Sequence, residues 1–162
     1  MGVLRRLSRR SDAVGEAVRD EILTDILRFD PEEVSGEVLA DLELLTVEEL
    51  WDRSGQTSQG YVDPNEESWL MIEEVLRPHV VRIRQYQNWG RPDEAREYCL
   101  AVLDGLYAFG REAKSEFKEH AGDDPRIAYG WIQARWREGV KKITLLDDFS
   151  AEVAARFPEW EK

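Results

Sequence analysis

The chain has 162 residues, enough for one domain with a proper core, and its 42% hydrophobic and 10% aromatic content excludes a disordered body. A net charge of −12, from 34 acidic and 22 basic residues, argues against a double-stranded nucleic-acid binder, which needs a basic footprint on phosphate. One cysteine, Cys99, permits neither an internal disulfide nor a cysteine-based zinc site.

Residues 1–10, MGVLRRLSRR, hold four arginines and no acid and read as a basic, flexible tail. Residues 11–162 read as a single all-helical domain. Val14, Val18, Ile22, Ile26 and Phe29 recur at helical spacing and make one apolar face that ends at Asp30-Pro31. Asp30, Pro31 and Glu33 then carry a capping-box signature for a helix burying Val34, Val38, Leu42 and Leu45. Thr46 to Glu49 repeats it before a short helix with Leu50 and Trp51.

From Arg53 to Pro64 the periodicity stops. Ser54 to Asp63 is rich in Gly, Ser, Thr and Gln, but lacks the spacing and lysine of a phosphate-binding loop. It reads as a connector pinned to the core by Tyr61 and Val62. Asp63-Pro64 opens a helix burying Trp69, Ile72, Leu76, Val80, Ile83 and Tyr86. Pro78 lies inside it, yet the stripe keeps phase, so one kinked helix is expected. The turn at Gly90 sends the chain back antiparallel.

The longest patterned stretch, Pro92 to His120, predicts a central helix about 40 Å long at roughly 1.5 Å per residue. Cys99 lies on its apolar stripe as a small hydrophobe. Gly105 and Gly110 inside it should each cost about 1 kcal/mol against alanine, so close backbone contacts are expected there. Gly122 sits at the cap position. After Asp123-Asp124-Pro125 a helix follows that is apolar over a wide arc, with Ile127, Trp131 and Ala134 on one face and Ala128, Ile132 and Trp136 beside them. A break at Asp147-Asp148, then Phe149-Ser150 as staple and cap, predicts a last helix ending at Phe157-Pro158. No stretch alternates as a strand. The reading is all-α: an antiparallel bundle or helical-hairpin array of six to eight helices around a long central one.

Chemistry is weakly signalled. Neither His79 nor His120 has a glutamate three residues before it, so the bundle-type di-iron pattern is missing. Glu116 and His120 stand one turn apart, where a cationic histidine suits a helix C-terminus. Asp123-Asp124 and Asp147-Asp148 are explained as helix boundaries. No nucleophile motif occurs. No catalytic, metal or cofactor residue is assigned. The function expected is a non-enzymatic helical module for protein–protein interaction or self-association. A small carboxylate-using enzyme, metal-dependent or not, is the alternative. Without a long apolar run the chain is expected to be cytoplasmic and free of membranes.

One constellation suggests where a partner would bind. Arg77, Arg84 and Arg91 are spaced by seven along the kinked helix and its exit turn; Arg135, Arg137, Lys141 and Lys142 interleave with Trp131 and Trp136. Pairing with local acids, such as Glu73 with Arg77, would silence the arginines. Trp131 and Trp136 are five apart, about 140° around a helix, so one should be buried and one exposed. Trp131 is assigned to the core and Trp136 to the surface. Arg77, Arg84, Arg135, Trp136 and Lys142 are the candidate partner-binding residues, facing an acidic or aromatic segment. In the alternative, Trp136 seals the last helix against the bundle.

The hairpin about Gly90, with Tyr86 and Ala95, resembles that of a tetratricopeptide repeat, although His79 stands for the expected aromatic and the closing proline is missing. It covers one repeat, with no second copy 34 residues away. The stretch LWDRSGQTSQGYVDPNEESWLMIEEVLRP, followed by YCLAVLDGLYAFGRE, is similar to the helical region that accompanies SWIM zinc fingers in uncharacterised prokaryotic proteins. It spans residues 50–112. The finger's Cys-x-Cys and Cys-x-His cannot be present, so the resemblance implies only a helical interaction module.

Overall fold

The computed structural model describes residues 13–22, 24–25 and 28–161; the basic segment 1–10 and Ile26 lie outside these. The chain is all-α, with eight helices among the described residues. They are α1 (residues 13–22, with 24–25 also helical), α2 (Pro31–Glu43), α3 (Val47–Arg53), α4 (Pro64–Asn88), α5 (Pro92–Glu112), α6 (Glu116–Ala121), α7 (Asp124–Glu138) and α8 (Ile143–Arg156). None of them is long and apolar enough to cross a membrane.

Three expected caps form. The side chains of Asp30, Thr46 and Asp63 accept from the backbone N–H groups of Glu32 (2.9 Å), Glu49 (3.2 Å) and Asn65 (2.8 Å). Pro78 leaves α4 as one 25-residue helix. Gly90, at φ 69°, then lets the Arg91 N–H reach the Tyr86 carbonyl at 2.9 Å and turns the chain into α5.

α5 is the centre. It packs against α2, α4 and α7, and buries Ala95, Tyr98 to Leu103, Leu106 and Phe109. Its two glycines sit where neighbours leave no room. A methyl at Gly105 would lie 2.4 Å from the Ser35 carbonyl oxygen and 2.8 Å from Val38 Cβ of α2. At Gly110 it would meet the Trp160 ring at 2.3 Å. That ring closes an aromatic group with Tyr107, Tyr129 and Phe157, which fastens the C-terminal segment to α5 and α7.

Five expectations are corrected. The central helix ends at Glu112; Ala113 turns extended and Ser115 caps α6 by accepting from the Lys118 N–H. Residues 55–62 form a small antiparallel hairpin, β1 (Gly55–Thr57) with β2 (Gly60–Val62), closed by glycines at positive φ. Tyr61 is 69% exposed and pins nothing. No break occurs at Asp147-Asp148: α8 runs through Phe149 and Ser150. Finally, Val14, Val18 and Ile22 stand exposed, while Phe29 packs on Tyr86 and Tyr98.

The end of α3 is tied down by an ion-pair group that sequence reading overlooked. Arg53 Nε donates to Glu67 at 2.6 Å, and its two terminal nitrogens grip Glu74 at 2.9 and 2.8 Å. This bidentate contact holds the Glu74 carboxyl below its usual range, while Glu67 is buried.

Candidate functional site

The five candidate residues fall into two groups. Arg77, Arg84 and Arg135 lie on the outer face of α4 and α7, each already holding a carboxylate. Arg77 pairs with Glu73 at 3.1 Å, one turn away. Arg84 and Arg135 converge on Glu138, each at 3.0 Å, so the structure does bring these two together. Arg91, the third member of the heptad series, pairs with Glu94 at 3.4 Å. Arg135 also lies over the Trp131 ring, which meets Trp69 edge to face. The ridge is neutralised by its own acids, as local pairing would have it.

Trp136 is corrected: it is 1% exposed, not a surface residue. Its ring stacks on Phe149 with centroids 3.9 Å apart, sealing α8 against the bundle. Trp136, not Trp131, is the more deeply buried indole of α7. Ala128, Tyr129, Ile132, Gln133 and Trp136 are buried, whereas Ile127 is 55% exposed and Trp131 half-buried. Arg135 and Arg137 flank Trp136 in sequence, but each sits about 100° around the helix from it.

Trp136 nevertheless forms part of a site. It lines a half-open cleft of about 250 Å³ with Gln87 from the end of α4, Pro92 and Arg96 from the start of α5, Gly139 to Lys142 from the α7–α8 link, and Leu145 of α8. Three cations line it and no carboxylate does. Arg96 reaches out to Glu152 through a terminal nitrogen. Lys141 and Lys142 are exposed and have no ion-pair partner among the described residues.

Gln87 donates from Nε2 to the Trp136 carbonyl at 2.8 Å, capping the end of α7. This fixes the amide orientation, since the reverse would set oxygen against oxygen. The side chain fits because residue 139 is glycine: a Cβ there would lie 1.9 Å from Gln87 Oε1. Three buried polar side-chain atoms lack a hydrogen-bond partner among the described residues: Gln87 Oε1, Arg96 Nε and Trp136 Nε1. All three residues line this cleft. Periodicity could not reveal it, because its walls come from two stretches, residues 87–96 and 136–145, far apart in sequence.

A second groove, of about 440 Å³, opens between α2 and α4 over His79 and Tyr98. The His79 ring Nδ1 and the Tyr98 hydroxyl are 2.9 Å apart. Burial lowers the His79 pKa, against the pull of Glu37 and Asp41, and pushes Tyr98 up to about 12. Both groups are held neutral at pH 7, as a buried hydrogen-bonded pair that orders the core. Burial likewise pushes the Cys99 thiol far above its ordinary value, which leaves it unreactive. His120 meets Trp51 edge to face rather than Glu116. Among the described residues no three of His, Cys, Asp and Glu gather into a set that could hold a metal. No family model, curated protein or solved structure matches this chain, so the chemistry of the cleft rests on its own geometry.

Proposed function

We propose that the protein is a non-enzymatic helical interaction module that receives a short acidic segment of a protein partner in the cleft between α4, α5 and the α7–α8 link. One observation carries this reading: in a chain of net charge −12, the cleft is lined by Arg96, Lys141 and Lys142 and by no acid. Elsewhere, the arginines at 77, 84, 91 and 135 each hold a carboxylate. Arg96 holds Glu152, but Lys141 and Lys142 pair with no acid among the described residues, and in so acidic a chain they create a local field of opposite sign to the whole. Such a field steers and orients an acidic segment even where each contact is weak.

Of the candidate residues, Trp136 and Lys142 belong to this surface, Trp136 as its floor and Lys142 at the link. The helical-interaction role implied by the likeness to the region accompanying SWIM zinc fingers is in keeping with it. The test is fluorescence anisotropy with a labelled, end-capped octapeptide of alternating glutamate and leucine, beside its glutamine counterpart. The glutamate peptide is expected to bind about tenfold tighter or more, and the preference to vanish in Lys141→Glu/Lys142→Glu while the melting temperature holds. Equal affinity for the two peptides, or a preference surviving the double reversal, overturns the proposal.

A further inference from the structure

Charge alone does not account for the shape of the cleft. Lys141 and Lys142 could attract acid from a flat surface, yet they stand exposed along a half-open hollow whose open lining is largely apolar. Pro92 of α5, Val140 of the α7–α8 link and Leu145 of α8 supply its apolar side chains beside the buried Trp136. Val140 packs against the core, whereas Leu145, half-buried, lies off it. A polar acidic run would leave these side chains in water and gain only the screened attraction of exposed charges. An apolar peptide would cover them but forgo the field that sets this cleft apart from the rest of an acidic surface. The occupant that satisfies both is itself divided.

Resting on the reading of the cleft as an acidic-segment site, we infer that it recognises an aliphatic residue with an acid beside it. One leucine-sized side chain of the partner fills the hollow against Pro92, Val140 and Leu145, and a neighbouring Asp or Glu lies over Lys141 and Lys142. The aliphatic side chain supplies affinity through the area it removes from water, and the acid supplies orientation and discrimination. The size agrees: about 250 Å³ falls below the roughly 300 Å³ at which drug-sized pockets begin, and suits one side chain rather than a folded element. The polar side chains of the floor take no part in this contact. Gln87 is committed to the Trp136 carbonyl and Arg96 to Glu152.

The test varies the ligand, so the fold is never at stake. The labelled, end-capped octapeptide of alternating glutamate and leucine is compared by fluorescence anisotropy with one of alternating glutamate and serine, which carries the same charge. Each is also titrated into the chain labelled at its Val and Leu methyl groups, while the Val140 and Leu145 cross-peaks, assigned by their loss in Val140→Ala and Leu145→Ala, are followed by NMR. The serine peptide is expected to bind about tenfold weaker or more, the scale of one aliphatic side chain left in water. The leucine peptide is expected to shift both methyl signals saturably. Equal binding of the two peptides overturns the inference. So does binding of the leucine peptide that leaves both signals unmoved. In either outcome a preference for glutamate over glutamine that is lost in Lys141→Glu/Lys142→Glu keeps the acidic-segment reading standing, whereas absence of that preference removes both.

Discussion

Two basic regions of this protein differ in whether acid stands beside their exposed cations. On α4, at the turn into α5 and on α7, Arg77, Arg84, Arg91 and Arg135 are each within 3.4 Å of a carboxylate. In the cleft a few turns away, Lys141 and Lys142 meet none among the described residues. Counting cations in the sequence treats the two alike. The structure separates them: exposed pairs at helical spacing close on themselves at little cost or gain, typically 0.2–1 kcal/mol, and offer a partner no net field. What makes a basic surface available is the exclusion of acid from it.

The comparison can be broken first at the floor of the cleft. Trp136→Ala removes a fully buried ring stacked on Phe149 and should cost about 3–5 kcal/mol, read as a large fall in denaturation midpoint. A change under about 1 kcal/mol would mean that Trp136 is not core. Among the paired cations depth should decide the effect. Arg53→Ala strips the buried Glu67 and the bidentate Glu74 of their partner and is expected to lose about 1.5–3 kcal/mol in urea unfolding.

The third effect is a pH dependence. The folded His79 pKa lies below its ordinary 6.5 because burial disfavours the charged ring. The unfolded chain therefore takes up that proton first, and stability present above about pH 6.5 declines as pH falls toward the folded value. His79→Asn, whose amide keeps a partner for the Tyr98 hydroxyl without a proton to gain, should flatten the fall in melting temperature between pH 7 and 5.5. An unchanged slope would remove His79 from the account. The smallest effect belongs to the ridge: Arg84→Ala, with Glu138 still held by Arg135, should shift stability by at most about 1 kcal/mol.

The all-α class, the capped starts at Asp30, Thr46 and Asp63, the unbroken α4 and the crowded glycines of α5 were all legible, because local spacing and capping chemistry determine them. The orientation of α7 was not. Its apolar residues cover so wide an arc that period alone offers two faces, and the choice fell to α8, whose Phe149 stacks on Trp136. The end of α5 was signalled by Ser115, a good cap that lay inside a periodic run and was read through. The Arg53 group joins residues 14 and 21 positions apart, beyond any helical spacing. The cleft was illegible for the same reason, since two stretches of sequence far apart, residues 87–96 and 136–145, supply its walls. The basic and aromatic residues around Trp136 point to Lys142 and Trp136 from sequence alone, but the indole lies buried in the floor of the cleft.

The most direct measurement sets the two regions side by side. The same labelled glutamate–leucine octapeptide is titrated against the parent chain, against Lys141→Glu/Lys142→Glu and against Arg77→Glu/Arg84→Glu, with each melting temperature recorded. Binding lost by about tenfold or more in the cleft variant and kept within about twofold in the ridge variant is the predicted result. Binding lost in the ridge variant, or retained when the cleft lysines are reversed, would contradict the claim that the cleft between α4, α5 and the α7–α8 link is where this protein meets an acidic partner.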